Sequence, residues 1–237
     1  TIPMQTKKIC ILGGTGFVGK HLATKLANAG HHVKIISRRP HRHREVLVVA
    51  GIEVAEGNPF NAGDLRRELA GMDVAINLIG ILNESGHDGS GFQAAHVDLP
   101  ARIAAVCKRV GVHRLLHMSA CNAGVLRSDA AYQDKNNRGS DYLRTKGEGE
   151  KKVLAASGDE LAVTIFRPSL IFGRGDGIFG RFAGILEVSP VLPLACPTAR
   201  VAPVFVGDVT EAFLRALDDP DSIGKTYDLC GPRNYSL

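Results

Sequence analysis

The sequence contains no tryptophan, and aromatic residues make up only 5% of its 237 residues. So few aromatic rings disfavour a nucleic-acid surface, on which bases stack against aromatic side chains. The apolar runs, such as residues 9–12 and 46–50, are far shorter than the ~18 residues of a membrane-spanning helix. The first residues, TIPMQTKK, lack the apolar core of a signal peptide. We therefore expect a cytoplasmic protein.

Cysteine is sparse as well. The five cysteines stand far apart, at positions 10, 107, 121, 196 and 230, and no two of them form a C-x-x-C pair. Their odd number and wide spacing do not suit a disulfide framework. The cysteine pattern therefore predicts a reducing compartment.

The chain does contain a regular alternation of short apolar runs and segments of helical period. Hydrophobic residues make up 44% and charged residues 22% of the sequence, as in packed globular domains. Strands are predicted at residues 8–12, 32–36, 52–55, 74–79, 114–118, 161–166 and 226–229. Helices are predicted at residues 18–29, 42–50, 62–70, 92–110, 140–156 and 208–217. This alternation is typical of an α/β fold with a doubly wound parallel sheet.

Seven residues, GGTGFVG, connect the first predicted strand to the first helix. Gly13 can form the tight turn, Gly16 lets the backbone approach a pyrophosphate, and Gly19 allows helix and strand to pack closely. Unpaired N–H groups at the start of the helix attract the anion. A strand before the motif and a helix after it predict a Rossmann-type dinucleotide site rather than an ordinary glycine-rich turn. The cofactor-binding residues predicted here are Gly13, Thr15, Gly16, Phe17, Val18 and Gly19.

The second predicted strand leads into Ser37, Arg38 and Arg39. A carboxylate at this point accepts a hydrogen bond from the ribose 2′-hydroxyl of NAD, whereas an arginine accommodates the 2′-phosphate of NADP. Ser37 stands where the acid is expected, and Arg38 can present a planar guanidinium to a phosphate. We therefore predict that these residues bind the cofactor and that NADP(H) is favoured over NAD(H). The alternative is that the arginines lie on a solvated loop.

Two further strand ends carry candidate cofactor contacts, because ligands bind at the carboxyl ends of parallel strands. Asn58 follows the third strand and is predicted to hydrogen-bond the adenine edge. The alternative for Asn58 is a role in the turn that precedes Pro59. The fourth strand leads into Leu78, Ile79 and Gly80, whose backbone is predicted to lie against the adenosine ribose and the phosphates.

The net charge of +5 is concentrated in the segment RRPHRHR at positions 38–44, which contains four arginines and no acidic residue. His41 and His43 have no cysteine or carboxylate partner in this segment, so no metal site is predicted. No aromatic residue lies among the basic ones, so no nucleic-acid partner is predicted either. The favoured anion is the cofactor 2′-phosphate, with a membrane or partner surface as the alternative for the outer arginines.

Tyr142 and Lys146 are four residues apart in a predicted helix, which places them on one face. A tyrosine with its ordinary pKa near ~10 is a weak base at neutral pH. A neighbouring ammonium favours the phenolate, so Lys146 is predicted to lower the pKa of Tyr142 into a range useful for proton transfer. Taken alone, such a pair also occurs on ordinary surface helices.

Four segments occur in the order of a known family: GGTGFVG, YLRTKGEGE, IFRPSLIFGRGD and FVGDVTEAFLRAL. Over essentially its whole length the sequence resembles the short-chain dehydrogenase/reductase superfamily, in particular its extended and atypical, NAD-dependent epimerase/dehydratase-like members. With YDLCGP included, it resembles the branch that contains the NADPH-binding accessory subunit of respiratory complex I. The resemblance implies that Tyr142 is the acid/base, that Lys146 also binds the nicotinamide ribose, and that Arg167 and Pro168 border the nicotinamide.

Two positions depart from the pattern of the superfamily. Extended members carry a hydroxyl residue after the fifth strand, where the run LLHMSAC places Ala120. A shift of one residue makes Ser119 the third catalytic candidate. His96 stands where the superfamily has a structural asparagine. Because loss of one preorganised donor lowers a rate by about 10²–10³-fold, the chain is expected to keep a cofactor site and half of a catalytic site.

These observations predict an NAD(P)-binding Rossmann domain at residues 1–166. The glycine- and proline-rich residues 167–237 form a small substrate lobe that is interleaved with the end of the sheet, and we expect this lobe to be incomplete. The predicted function is NADP(H)-dependent hydride transfer to an unknown carbonyl or alcohol, either quinone-related or a sugar nucleotide. The alternative is a non-catalytic NADPH-binding subunit, structural or redox-sensing, of a complex I-type NADH:ubiquinone oxidoreductase. Such a subunit is expected at the periphery of the inner membrane, on the matrix side in a eukaryote.

Overall fold

The computed structural model describes residues 5–43, 48–83, 88–124, 138–176 and 200–236. Its strands are β1 (Lys8–Leu12), β2 (His32–Ser37), β3 (Ile52–Glu56), β4 (Val74–Asn77), β5 (Arg114–Met118), β6 (Ala162–Pro168), β7 (Ile171–Phe172), β8 (Arg200–Val201), β9 (Val204–Phe205), β10 (Thr226–Leu229) and β11 (Tyr235–Ser236). Its helices are α1 (Phe17–Asn28), α2 (Ala62–Leu69), α3 (Ser90–Gln93), α4 (Leu99–Val110), α5 (Arg138–Ala155) and α6 (Val206–Ala216), with a π-helical segment, Ala94–Asp98, between α3 and α4.

Seven strands form one sheet in the order β10-β6-β5-β4-β1-β2-β3. Every neighbouring pair is parallel, and β1 occupies the middle, where Leu12 is paired with Ile36 on one side and Asn77 on the other. All seven strands therefore end at the same edge of the sheet. This order, with helices between successive strands, confirms the predicted α/β fold of Rossmann type.

Alternate residues of β1 face opposite layers of the core. Ile9 and Ile11 pack in the cluster that includes residues of α1 and α6. Cys10 and Leu12 pack in the cluster that includes residues of α2 and α4. Because both faces of the sheet are covered, its strands are nearly continuous apolar runs.

The helix boundaries follow from local capping. The side chain of Asn61 accepts hydrogen bonds from the N–H groups of Gly63 and Asp64, which starts α2. Helix α4 ends at Gly111, whose φ of 79° is left-handed and therefore favours glycine. At the end of β5, Met118 leads directly to the sheet edge that carries the candidate site.

The structure differs most from the sequence prediction at two places. A helix was expected at residues 42–50, but a 3₁₀ turn at Pro40–Arg42 and turn residues at 48–50 stand at its two ends, and residues 44–47 lie outside the described part. Pro40 stands in the first turn of this short element, where its fixed φ and missing N–H are well tolerated. The expected small lobe contains two unpredicted sheets, β7 with β9 and β8 with β11. The division into domains at residue 166 stays a prediction.

A buried arginine joins three parts of the chain at one side of the sheet. Arg114 Nη2 in β5 lies 2.7 Å from Thr164 Oγ1 in β6, 2.7 Å from the carbonyl oxygen of Ala216, and 2.8 Å from Ser222 Oγ. Thr164 Oγ1 itself donates to the carbonyl oxygen of Ser222 at 2.7 Å. The guanidinium therefore holds the end of α6 and the turn before β10 against the sheet.

Candidate cofactor and catalytic site

The glycine turn between β1 and α1 has the geometry of a phosphate-binding loop. Gly13 has a φ of +85°, a left-handed conformation that favours glycine. A Cβ on Gly19 would collide with the carbonyl oxygen of Gly13 and with Cα of Gly14, so α1 approaches the turn this closely only because Gly19 has no side chain. The N–H of Gly16 donates to the carbonyl oxygen of Gly13 at 3.1 Å.

Helix α1 begins immediately after Gly16, at Phe17. The other predicted phosphate-binding residues, Thr15 and Val18, lie in the last part of the turn and in the first turn of the helix. The first N–H groups of a helix have no acceptor within it and carry the positive end of its dipole. The turn therefore offers backbone donors to an anion, which fits the pyrophosphate of a dinucleotide.

Residues 78–80, whose backbone is predicted to contact the cofactor, follow β4 and pack against the same glycine turn. Leu78 donates its N–H to the carbonyl oxygen of Leu12 at 2.9 Å. A Cβ on Gly13 would lie 3.1 Å from both Ile79 N and the carbonyl carbon of Leu78. A Cβ on Gly80 would lie 3.5 Å from Lys146 Nζ. The structure thus brings Leu78, Ile79 and Gly80 between the glycine turn and helix α5.

The residues predicted to choose between NADP and NAD lie at the ends of β2 and β3. Ser37 is buried, and its hydroxyl accepts a hydrogen bond from the N–H of Arg39 at 3.2 Å. Arg38 and Arg39 are exposed. Arg38 and Asn58 both line a surface cavity of about 510 Å³, so the structure brings these two predicted residues together.

The side chain of Asn58 takes part in its own turn. Asn58 Oδ1 accepts a hydrogen bond from the N–H of Phe60 at 3.1 Å, and its backbone N–H donates to Asp64 Oδ2 at 2.8 Å. This geometry agrees with the alternative interpretation of Asn58 as a turn residue. Asn58 is exposed, and its contact with an adenine stays a prediction.

Lys146 is the buried cation of the site. Its Nζ donates to the carbonyl oxygen of Met118, the last residue of β5, at 3.0 Å. Burial lowers the pKa of Lys146 to about 8, against an opposing effect of the Glu150 carboxylate. An ammonium has three donors and the Met118 carbonyl accepts one of them. Among the described residues no other acceptor is paired with this ammonium, which leaves N–H donors for a ligand next to Gly80.

Tyr142 lies one helical turn before Lys146 in α5. Its ring meets the ring of His96 edge to face, with centroids 5.2 Å apart and an interplanar angle of 90°, and it meets Phe92 at 6.2 Å. Burial raises the pKa of Tyr142. This direction is opposite to the predicted one, because the shift is caused by loss of solvation around the phenol.

His96 connects the loop after β4 to helix α5. Its Nε2 accepts a hydrogen bond from the N–H of Ile81 at 3.1 Å, so the ring proton is on Nδ1, which faces Thr145 Oγ1 at 3.0 Å. The Thr145 hydroxyl in turn donates to the carbonyl oxygen of Asp141 at 2.7 Å. Burial, and next the charge of Lys146, lower the pKa of His96 to about 3. His96 is therefore neutral at physiological pH and holds its neighbours in place.

The π-helical segment that carries His96 packs closely on α5. A Cβ on Gly149 would collide with the carbonyl oxygen of His96. The glycine therefore allows a separation between the two elements that a larger residue would prevent. This contact gives a structural reason for a glycine in the GEGE part of YLRTKGEGE.

A second buried histidine lies under the site, between β4 and β5. Asn77 Oδ1 accepts from the N–H of Ile79 at 3.1 Å, which turns its NH₂ group toward His117 Nδ1, also at 3.1 Å. Burial lowers the pKa of His117 well below its ordinary value, and Lys146 and His96 lower it further. Sequence analysis missed both residues. The sequence signal that could have revealed them is a polar residue at or next to the end of each of two apolar strands, Asn77 in β4 and His117 in β5.

Ser119 follows β5 directly, and its N–H donates to the carbonyl oxygen of Phe166 at 2.7 Å. Its side chain is buried, and among the described residues Oγ has no hydrogen-bond partner. Ala120, the other residue considered for this position, is partly exposed and has no hydroxyl. The catalytic role of Ser119 stays a prediction.

Arg167 forms an ion pair with helix α5 at the end of β6. Its Nε and Nη2 donate to the two oxygens of the Glu150 carboxylate at 2.8 and 2.6 Å. The carboxylate is buried, whereas the guanidinium is 31% exposed. Pro168 follows in β6, and its carbonyl oxygen accepts from the N–H of Cys121 at 3.0 Å. The side chain of Arg167 therefore fixes the position of α5, and its contact with a nicotinamide stays a prediction.

An apolar cavity of about 540 Å³ borders the glycine turn. The described residues that line it are Phe172, Gly173, Asp176, Pro203, Pro232 and Tyr235. A Cβ on Gly173 would lie 3.6 Å from Cζ of Phe17, in the first turn of α1. The predicted cofactor site and this cavity are therefore direct neighbours.

In the described parts of the chain, no group of three or more His, Cys, Asp or Glu residues is arranged to hold a metal ion. Within those same parts, no helix combines the length and the apolar composition needed to cross a membrane.

Residues 9–230 match the model of the NAD dependent epimerase/dehydratase family. The chain belongs to this family. The predicted family resemblance is thereby confirmed. One curated relative of this epimerase/dehydratase family member is NADH dehydrogenase (ubiquinone) 1 alpha subcomplex subunit 9, mitochondrial, of Mus musculus. The two sequences are 32% identical over 238 residues, and the alignment covers 96% of this chain and 57% of the mouse protein.

It is also 32% identical over 203 residues to the ceramide reductase of Caulobacter vibrioides, with coverage of 84% of this chain and 57% of the reductase. The chain thus spans just over half the length of these two relatives. One similar solved structure is that of UDP-glucuronic acid 4-epimerase from Bacillus cereus in complex with UDP-glucuronic acid and NAD. It superimposes with a TM-score of 0.81 at 21% identity, and the match covers 97% of this chain and 79% of the epimerase. This similarity confirms the fold of the epimerase/dehydratase family member.

Proposed function

We propose that the protein is an NADP(H)-dependent oxidoreductase that reduces an apolar carbonyl compound, with Tyr142 as the proton donor. The observation that carries this proposal is the position of Lys146 beside Gly80, at the sheet edge where the glycine turn offers its backbone donors. Lys146 is a buried cation, and among the described residues its ammonium is paired only with the Met118 carbonyl. Membership of a family named for NAD-dependent epimerases and dehydratases supports the same chemistry.

The chain has residues that fit each part of the cofactor. The turn at Gly13 and Gly16 fits the pyrophosphate, because its backbone is accessible there and α1 begins immediately after it. Arg38 fits a 2′-phosphate at the end of β2, where no acidic residue follows the strand to accept from a 2′-hydroxyl. The free N–H donors of Lys146 fit the hydroxyls of the second ribose. When bound, the reduced cofactor supplies the hydride.

The environment of Tyr142 favours the direction of carbonyl reduction. Burial raises its pKa, so the phenol keeps its proton at neutral pH and can donate it to a carbonyl oxygen. Lys146 lies one turn away and can stabilise the phenolate that remains after donation. His96 is neutral, because its pKa is lowered to about 3, and it therefore acts by fixing α5 rather than as a proton donor.

The cavity next to the glycine turn supports an apolar substrate rather than a sugar nucleotide. Its described lining is mainly aromatic rings, prolines and a glycine, with Asp176 as the charged exception. Apolar lining of this kind recognises a hydrocarbon or quinone body. The names of two relatives, ceramide reductase and 2-alkyl-3-oxoalkanoate reductase, describe substrates with such bodies.

Turnover of NADPH with quinones, long-chain ketones and sugar nucleotides tests the catalytic assignment. For an accepted substrate, Tyr142→Phe should lower kcat by about 10²–10³-fold, as expected for loss of a general acid. The affinity for NADPH should stay within about twofold, since the phenol hydroxyl is not assigned to the cofactor. Tyr227→Phe is the matched control, because Tyr227 is an exposed tyrosine in β10. Unchanged turnover in Y142F would contradict the proposal.

Binding measurements with NADPH and NADH test the cofactor preference. Arg38→Ala should weaken NADPH binding by about 10–100-fold, the value of a charge-assisted hydrogen bond. NADH binding should be unaffected in the same variant. Arg42→Ala is the control, because Arg42 is also exposed but lies beyond the strand end, in the 3₁₀ turn. Equal affinity of the wild-type protein for the two cofactors would show that Arg38 does not select NADPH.

A second candidate function is a non-catalytic NADPH-binding subunit that associates with a respiratory complex at the inner membrane. Two observations favour it. The Ser119 hydroxyl is buried without a described partner, and a mouse relative is named as a subunit of NADH dehydrogenase. In this case NADPH should raise the melting temperature by linkage, while none of the three substrate classes is turned over. Turnover that depends on Tyr142 would exclude this function.

A further inference from the structure

Two cysteines that are 109 positions apart in sequence meet beside the candidate site. Cys121 Sγ and Cys230 Sγ are 3.5 Å apart, which is van der Waals contact between two sulfur atoms. Cys121 follows the end of β5, and Cys230 comes directly after Leu229, the last residue of β10. Both cysteines are free thiols in the structure. A disulfide bond of about 2.05 Å requires the sulfurs to approach by only about 1.5 Å.

We propose that Cys121 and Cys230 form a reversible redox site, a dithiol that exchanges with low-molecular-weight disulfides such as glutathione disulfide. This proposal goes beyond the proposed function and does not depend on it. The other described cysteines, Cys10 in β1 and Cys107 in α4, are buried in one core cluster. They are therefore shielded from such a reagent.

The two sulfurs differ in a way that sets the order of the reaction. Cys230 is exposed, whereas Cys121 is partly buried and donates its S–H to the carbonyl oxygen of Arg167 at 3.2 Å. Burial, and next the neighbouring Cys230 sulfur, raise the pKa of Cys121. Thiolates and not thiols attack disulfides. Cys230 is therefore the attacking cysteine and Cys121 the resolving one.

The exchange balances in two steps. The Cys230 thiolate attacks one sulfur of glutathione disulfide, the glutathione S–S bond breaks, and one glutathione thiolate leaves. Cys121 sulfur then attacks Cys230 sulfur in the mixed disulfide, and the second glutathione leaves as a thiolate that takes up the Cys121 proton. The two protein thiols lose two electrons in total, and glutathione disulfide gains them as two glutathione molecules.

Formation of the bond would connect the catalytic edge to the lining of the apolar cavity. In the sheet, β6 lies between β5 and β10, so the disulfide would cross the end of β6. The residue after Cys230, Gly231, donates its N–H to the carbonyl oxygen of Ala202 at 3.1 Å, and Pro232 lines the cavity. Oxidation would therefore fix the chain that leads from β10 into the cavity wall.

Thiol titration of the full chain tests the proposal. The protein carries Cys196→Ser, which removes the one cysteine that lies outside the described residues, and it is equilibrated with reduced and oxidised glutathione at several ratios. Free thiols are then blocked with N-ethylmaleimide and counted by intact mass, and digested peptides locate the bond. We expect two thiols to disappear together as one two-electron transition, with a crosslink between the peptides of residues 121 and 230. Cys10 and Cys107 should react only after unfolding.

Two variants separate the roles of the cysteines. Cys121→Ser should accumulate a glutathione adduct on Cys230, because the resolving thiol is missing, and Cys230→Ser should stay largely unmodified. Oxidation of the parent protein should also raise Tm by about 5–10 °C, since the bond closes a long loop. Independent glutathione adducts on both cysteines without a crosslink would overturn the proposal, as would a crosslink that involves Cys10 or Cys107.

Discussion

Replacement of Lys146 by methionine should change how the stability of the protein depends on pH. Burial lowers the pKa of Lys146 to about 8 from its ordinary 10.5. Between these two values the unfolded chain holds a proton that the folded chain has lost, so the free energy of unfolding rises with pH in this window. Below about pH 8 both states are protonated and the folded state carries the full penalty of a buried ammonium. Between about pH 6.5 and pH 10, this difference in pKa raises the free energy of unfolding by about 2–3 kcal/mol.

Urea unfolding of the wild type and K146M at several pH values measures this contribution. The variant retains every other titrating group, and burial keeps the pKa values of His96 and His117, which Lys146 also lowers, below this pH range. The difference between the two free energies of unfolding therefore reports mainly on Lys146. K146M should have its greatest advantage over the wild type near pH 6.5 and should lose about 2–3 kcal/mol of it by pH 10. Lys151→Met is the control, because Lys151 is exposed in the same helix, and its difference should stay constant. A constant difference for K146M as well would refute the assignment of Lys146 as a desolvated cation.

Two further predictions concern the glycine turn and the ion pair below helix α5. Gly19→Ala should destabilise the protein by several kcal/mol in urea, about the cost of severe overpacking, because its Cβ would collide with the backbone of the turn. For Gly16→Ala the Cβ would meet, among the described residues, only the carbonyl oxygen of Gly13 at 3.4 Å. This variant should fold normally and lose cofactor affinity instead, and equal destabilisation by the two variants would argue against the packing explanation. Arg167→Met should lower the free energy of unfolding by about 2–3 kcal/mol in thermal unfolding, because it leaves the buried Glu150 carboxylate without its partner. The control, Arg144→Met, removes an exposed ion pair and should lower it by less than about 1 kcal/mol. Similar losses in the two arginine variants would contradict this reasoning.

The sequence predicted the sheet and the glycine turn well, because both depend on local patterns. Five of the six strands predicted before residue 167 begin at the residue where the structure begins them, and the last strand, Thr226–Leu229, has its predicted bounds. Apolar runs and glycines at fixed spacing carry that information directly. The helix expected at residues 42–50 is not confirmed, because residue 42 ends a 3₁₀ turn, residues 43 and 48–50 are not α-helical, and residues 44–47 lie outside the described part. The short sheets of the lobe consist of two-residue strands, which are too short to have a pattern.

The electrostatics of the site was less accessible from the sequence. The spacing of Tyr142 and Lys146 correctly places them on one helix, but the direction of the pKa change of Tyr142 depends on burial, which is a tertiary property. The buried pair of Asn77 and His117 forms between residues far apart in the chain. The role of His96 likewise appears only where the loop after β4 meets α5. Such contacts need the fold before they can be recognised.

The buried contacts of Arg114 also have a consequence for the order in which parts of the chain can fold during synthesis. Two of its three hydrogen-bond acceptors, the carbonyl oxygen of Ala216 and the hydroxyl of Ser222, follow it by 102 and 108 residues. A nascent chain that has released β5 and β6 but not these residues has only Thr164 to accept from the guanidinium, and burial of a poorly paired charge is unfavourable. We expect the β6 edge to stay hydrated until β10 is available to pair with it. We therefore expect this side of the sheet to fold only after residues that follow Arg114 by more than 100 positions have been synthesised.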